Sequence, residues 1–83
     1  MPTICSFSGI TIVMYLRSKE HNPPHVHASF QEYEAPFLIE SGELMDGEFP
    51  GKARSLVKRF VLRYKTELME MWVTERYKKL PPI

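Results

Sequence analysis

The stretch His25-Val26-His27-Ala28-Ser29-Phe30-Gln31 decides the fold, because polar and apolar side chains alternate along it without a break. Successive side chains of a β-strand point to opposite faces of its sheet, so this alternation places one face on a core and leaves the other open. Val26, Ala28 and Phe30 would pack inward, while the histidine, serine and glutamine side chains would line the open face. The stretch therefore predicts one strand of a sheet that is covered on a single side.

Further strands are predicted on both sides of this stretch. Residues 10–17 are rich in β-branched and aromatic types, which favour strands, and Pro23-Pro24 then breaks the pairing because proline cannot donate to a ladder. Residues 33–40 predict a third strand, which Pro36 places at an edge or a bulge of the sheet. Leu44-Met45 would add a short fourth strand.

The apolar spacing changes from two to about 3.6 residues after Phe49, which indicates helix. Pro50 suits a helix start, where its missing N–H costs nothing. The apolar positions predict either one helix over residues 51–77 or two helices broken near Lys65-Thr66, with Thr66 as N-cap. We favour the break, because a straight helix of that length would overhang so small a sheet.

These elements predict one α+β domain over residues 1–83, with a sheet at about 9–46 and a helical part at about 50–78. The sheet would be antiparallel with three or four strands, and one or two C-terminal helices would pack on one of its faces.

Composition places the chain in the cytoplasm. Cys5 is the only cysteine, so no intrachain disulfide forms, and a free thiol fits a reducing compartment. No segment approaches the roughly 20 apolar residues that span a bilayer, and the N-terminus lacks the basic and apolar regions of a signal peptide. We therefore expect no membrane partner.

All three histidines fall within His21-Asn22-Pro23-Pro24-His25-Val26-His27, which is the candidate site. His25 and His27 lie two apart on a strand, so their rings should be neighbours, and His21 could fold back across the diproline bend. Three imidazoles are a common ligand set for zinc or another divalent transition metal. Without metal, the same histidines could divide acid and base roles, as in a ribonuclease-like reaction. The alternative is a solvated histidine pair without chemistry.

Net charge is +1, but the charge is unevenly distributed. Residues 52–65 carry six basic side chains and no acidic one, and these are the candidate nucleic-acid contacts: Lys52, Arg54, Lys58, Arg59, Arg63 and Lys65. Such a segment would bind the phosphates of RNA or DNA without sequence preference. It could instead be a solvated helix face or dock an acidic protein. A homodimer also stays possible, because the edge strand with Pro36 and the apolar Met71-Trp72 end could each contact a second chain.

The chain resembles a family of short bacterial and phage proteins catalogued as a domain of unknown function (number forty-one-sixty). The resemblance rests on Phe7-x-Gly9-Ile10-x-Ile12-x-Met14-Tyr15, the seven-residue histidine string, Tyr33-Glu34-Ala35, Ile39-Glu40-x-Gly42-Glu43-Leu44-x-Asp46-Gly47 and Leu68-x-x-x-Trp72. It implies a stand-alone cytoplasmic domain encoded beside another small protein, as in toxin–antitoxin pairs. No activity is implied by it.

Two functional hypotheses follow. The first is a nucleic-acid-facing component of a bacterial two-protein, toxin–antitoxin-like module, with His25 and His27 as catalytic residues and His21 assisting. The second is a module without catalysis that binds a protein partner or a transition metal through the same histidines. The sequence leaves open whether the chain is a ribonuclease-like enzyme, a metal-dependent hydrolase or no enzyme at all.

Overall fold

A four-stranded antiparallel sheet is followed by two C-terminal helices in the computed structural model, which describes residues 3–15 and 22–83. The elements in chain order are β1 (Thr3–Phe7), β2 (Ile10–Val13), β3 (His25–Phe30), β4 (Tyr33–Leu38), α1 (Gly51–Arg63) and α2 (Lys65–Thr74). The strands lie in the same order in the sheet as in the chain. The predicted α+β class is confirmed.

The alternation along β3 determines which face of the sheet is covered. Ala28 lies opposite Ile12 on one side and Ala35 on the other, and this cross-strand row is buried. The next row places His27 between Val13 and Pro36. Because neighbouring rows point to opposite faces, His27 lies on the face that turns away from the core.

Helix α1 packs on the core face with one apolar stripe. The buried residues of the stripe are Ala53, Val57, Phe60 and Val61. The Phe60 ring stacks on Phe7 of β1 at 5.3 Å between centroids, and Phe49 meets Phe37 of β4 edge-on at 5.2 Å. Aromatic pairs in these geometries add about 0.5–1.5 kcal/mol beyond the apolar area that they bury.

The helical segment is divided at Tyr64, which confirms the prediction of two helices with a break near Lys65-Thr66. Tyr64 has φ −110° and ψ 26°, so it ends α1 and precedes α2. The predicted N-cap role of Thr66 is wrong, because Thr66 lies inside α2 and no side chain caps that helix. Helix α2 ends at Thr74, where Glu75 takes a left-handed conformation with φ 59°. Neither described helix is long and apolar enough to cross a membrane.

The strand boundaries differ from expectation at several points. Strand β1 was not predicted, since five residues that pair only with β2 carry little periodic signal. Strand β2 ends at Val13, four residues before the expected Arg17, and residues 16 and 17 lie outside the described part. Leu44 makes a single bridge to Phe37 rather than a fourth strand.

The edge position predicted for Pro36 is confirmed. Strand β4 is the last in the sheet, and Pro36 pairs with His27 on its inner side. Its carbonyl accepts a hydrogen bond from the Met45 N–H at 2.9 Å on the outer side. Because Pro36 lies on the edge strand, its missing N–H does not interrupt the hydrogen bonding between two central strands.

The turn after β4 fits closely against α1. Gly42 has φ +73°, and a Cβ at this position would lie 2.9 Å from Lys58 Cγ and 3.1 Å from the Lys58 carbonyl oxygen. The Gly42 N–H donates to the Leu38 carbonyl at 2.8 Å. Only glycine combines this backbone conformation with so close an approach to a helix backbone.

We expect Gly42→Ala to lower the free energy of unfolding by about 1–3 kcal/mol, because it combines a positive φ with a steric overlap against helix backbone. Urea denaturation monitored by circular dichroism measures the change. The matched control is Gly51→Ala, since Gly51 is the first residue of α1 and has open space around its Cβ position. The control should be neutral or stabilising, and equal midpoints for both variants would contradict the close fit.

Candidate functional site

His25 is nearly buried at the start of β3, with 7% of its surface exposed. Its ring lies 5.1 Å from the Trp72 ring of α2 and 5.2 Å from the His27 ring, both measured between centroids. The His25 Nδ1 atom lies 2.8 Å from the Pro23 carbonyl oxygen. Because a carbonyl only accepts, Nδ1 carries the proton, and a neutral His25 ring has its lone pair on Nε2.

His27 shares a strand face with His25 and is partly exposed, whereas Trp72 covers His25, which therefore does not line an open surface as the alternation predicted. Tyr15 meets the His27 ring edge-on at 4.6 Å between centroids, and the Tyr15 hydroxyl lies 3.5 Å from Glu34 Oε2. The expected juxtaposition of the two imidazoles is confirmed by the 5.2 Å separation of their rings. The histidine pair is thus bordered by one tyrosine and one tryptophan, and this group is called the histidine end below: Tyr15, His25, His27 and Trp72.

His21 lies outside the described residues, so the convergence of three imidazoles stays a prediction. The described part of the diproline bend has a cis bond between Asn22 and Pro23. Within residues 3–15 and 22–83, no three histidine, cysteine, aspartate or glutamate side chains are grouped so that they could hold a metal ion. The catalytic and metal assignments of His21, His25 and His27 therefore remain predictions.

The contacts of Tyr15 and Trp72 with the histidine pair were not predicted from the sequence. Trp72 is buried in the core cluster and belongs to the apolar stripe of the helices, as its spacing indicated. Its contact with His25 joins residues that are far apart in the chain, and no local pattern carries that information. Tyr15 follows β2 by two residues, and the pairing of Val13 with His27, which brings Tyr15 close to His27, could not be predicted from the local sequence.

The six cations of the basic segment fall into two groups. Lys58 Nζ lies 2.5 Å from Glu43 Oε2, and Lys65 Nζ lies 2.7 Å from Glu40 Oε2. The other four have no ion pair with any carboxylate in the described part of the chain: Lys52, Arg54, Arg59 and Arg63. These four are exposed on α1 and are called the cation row below.

The cation row and the histidine end are on different sides of the molecule. His27 points away from the core on the open face of the sheet, whereas α1 packs on the opposite face. The exposed side of α1 faces away from the core in the other direction. A single phosphate therefore does not contact both a cation-row arginine and His27.

The pKa values of Glu43 and Cys5 are shifted. The hydrogen bond from Lys58, followed by its charge, holds the pKa of the Glu43 carboxyl below its ordinary value. Burial raises the pKa of the Cys5 thiol, against a smaller opposite effect of a backbone hydrogen bond at Ser6. A buried protonated thiol is a poor nucleophile, so Cys5 has a packing role.

Comparison with known proteins gives one family match. A family model described as "Domain of unknown function (DUF4160)" matches residues 9–73, which include β2 to β4, α1 and nearly all of α2. No curated protein and no solved structure matches the chain.

We expect the Glu43–Lys58 ion pair to stabilise the fold above pH 4.5, the ordinary pKa of Glu43, and to lose this contribution as the pH falls through the lowered pKa of the folded state. Lys58→Met removes the pair. The difference in urea midpoint between the wild type and this variant should be constant between about pH 7 and pH 5.5 and should shrink at lower pH. A difference that grows on acidification would contradict the assignment.

Proposed function

We propose that this chain, which belongs to the DUF4160 family, is the nucleic-acid-binding component of a cytoplasmic two-protein module and binds phosphates through the cation row. One observation supports this most directly: four exposed cations on one helix make no ion pair with a carboxylate in the described part of the chain, whereas the turn after β4 neutralises their two neighbours and attracts Arg54 at longer range. The toxin–antitoxin-like pairing and the cytoplasmic location belong to the proposal.

The cation row suits a linear polyanion. Residues 52 to 63 of a helix span about 16 Å along its axis, and duplex DNA carries one charge per about 1.7 Å. The helical period places Lys52, Arg59 and Arg63 on one side of α1 and Arg54 on another, so several phosphates lie within reach of the first three. Binding of this kind releases counterions, so its affinity falls steeply with salt and depends little on base sequence.

The histidine end would supply catalysis in this proposal, separately from the phosphate binding on α1. Ribonuclease-like catalysis by His25 and His27, with His21 assisting, would require the RNA to reach the open face of the sheet as well as α1. The small protein partner that the two-protein module needs could supply the missing surface on either side. In this proposal the cation row binds nucleic acid and does not itself catalyse a reaction.

A second candidate function is binding of zinc or another divalent transition metal at the histidine end. The bond from His25 Nδ1 to the Pro23 carbonyl is typical of metal-binding histidines, because it orients the ring and directs the Nε2 lone pair. Two imidazoles on one tetrahedral zinc ion, with Zn–N distances of about 2.0–2.1 Å, would have centroids about 5 Å apart. The observed separation is 5.2 Å. His21 is the candidate third ligand.

We expect Arg59→Gln with Arg63→Gln to weaken binding of mixed-sequence RNA or DNA and to lower the slope of log K against log salt by about 0.7–0.9 for each phosphate that the variant no longer neutralises. Fluorescence anisotropy between about 50 and 200 mM salt measures both quantities. The matched control is Lys58→Gln with Glu43→Gln, which removes an ion pair from the same helix and leaves the net charge unchanged.

The control should retain the wild-type affinity and slope. The proposal is wrong if the wild-type protein shows no salt-dependent binding, or if the control and the arginine variant weaken binding equally.

We expect protein purified without a histidine tag to bind about one zinc ion per chain, with a thermal shift that corresponds to about 2.7 kcal/mol at a free zinc concentration of 100 times Kd. His27→Ala should abolish the shift, whereas Ser29→Ala, two residues along on the same face, should retain it. Trp72 is the only tryptophan and lies 5.1 Å from His25, so quenching of its fluorescence by Ni²⁺ or Cu²⁺ gives a second measurement. Absence of both a stoichiometric metal and a zinc-dependent thermal shift would exclude this function.

A further inference from the structure

A groove beside α1 combines the positive charge of the cation row with an apolar wall. Arg59 and Arg63 line one part of it, and Leu62, Pro82 and Ile83 line the rest of a space of about 540 Å³. Leu62 is 46% exposed and Ile83 is 40% exposed, so the groove that the two arginines line also has apolar surface open to solvent. This cluster is called the arginine groove.

The apolar wall of the arginine groove is not required for phosphate binding alone. A duplex presents its phosphates on the outside and keeps the faces of its bases stacked inside, so it offers no base face to an apolar wall. A single strand exposes the faces of its bases, which can pack on apolar side chains and on the planes of guanidinium groups. The pairing of two arginines with Leu62 and Pro82 matches a nucleotide whose phosphate and base are both accessible.

We propose that the arginine groove binds single-stranded nucleic acid, with backbone phosphate on Arg59 and Arg63 and a base against Leu62, Pro82 and Ile83. This inference rests on the proposed function of the cation row and specifies its substrate class. An acidic peptide would also complement the two arginines. The nucleic acid is favoured because Lys52, seven residues before Arg59 and on the same side of the helix, continues the positive charge along α1 beyond the groove, as a linear polyanion requires.

The guanidinium group of Arg63 lies next to an aromatic ring. Its guanidinium carbon lies 5.6 Å from the centroid of Tyr64. A cation held over a ring in this way is attracted by the electrons of the ring face, so less conformational entropy remains to be lost when a ligand binds. Tyr64 is therefore a positioning residue for Arg63.

The test compares an unstructured oligonucleotide with the duplex of the same sequence, at the same salt concentration, by fluorescence anisotropy. Charge alone favours the duplex, because its charge density and its counterion release per phosphate are higher. A higher affinity of the full chain for the single strand would therefore report contacts with bases. Leu62→Ser should lower single-strand affinity by about 5-fold or more and change duplex affinity by less than about 2-fold, since it removes apolar surface and no charge.

The matched control is Val73→Ser on α2, which replaces another exposed aliphatic side chain outside the groove. It should leave both affinities unchanged, and thermal unfolding of each variant verifies that the fold is intact. Poly-glutamate of matched charge serves as the acidic-peptide probe and should bind more weakly than the single strand.

The outcomes separate the two proposals. A duplex affinity equal to or above that of the single strand, an equal effect of Leu62→Ser on both nucleic acids, or poly-glutamate binding as tight as the oligonucleotide would each overturn the single-strand assignment while the cation row still binds polyanions. Absence of binding to every nucleic acid would instead overturn the proposed function itself.

Discussion

Burial of apolar side chains between α1 and one face of the sheet is the interaction on which the rest of the structure depends. Phe37 and Phe60 are fully buried there, and burial of each such side chain contributes about 1.5–3 kcal/mol. A chain of 83 residues buries only about 60–65% of the surface of its unfolded form, so little other apolar area can replace this layer. The position of every surface feature follows from which face of the sheet α1 covers.

The one-sided cover separates the molecule into two surfaces of different chemistry. Strand alternation places His27 on the face away from α1, and the helical period places Arg59 and Arg63 on the side of α1 that faces solvent. Trp72 connects the two layers, because it is buried among the core residues and also contacts His25. Metal or acid–base chemistry at the histidine end and phosphate binding at α1 are thus compatible in one chain without sharing a residue.

The sequence was informative wherever a single element carries the pattern. The alternation in β3 identified the core face and the neighbouring imidazoles, Pro36 identified the edge strand, and the apolar stripe located the helical segment, whose length relative to the small sheet favoured a break. These features depend on residues that are close in the chain, so periodicity and the chemistry of proline are enough to predict them.

The sequence was uninformative wherever two distant segments meet. Strand β1 exists because β2 pairs with it, and five residues of edge strand carry no signal that is independent of that partner. The contact between His25 and Trp72 depends on where α2 lies relative to the start of β3. The position of His21 relative to the other two histidines belongs to the same class, since it depends on the path of the chain between Tyr15 and Asn22.

The turn after β4 shows how such a distant contact determines a functional surface. Surface ion pairs contribute little to stability. The main effect of the pairs Glu43–Lys58 and Glu40–Lys65 is therefore to determine which cations of the helices keep an uncompensated positive charge. They neutralise the cations on the side of the helices that faces the sheet edge. The arginines beside Leu62 are beyond the reach of this turn, so the positive potential that α1 presents to a polyanion is concentrated at the arginine groove. The close fit of Gly42 against Lys58 keeps the turn in place, and it thereby links the packing of the helix to the charge pattern on its outer side.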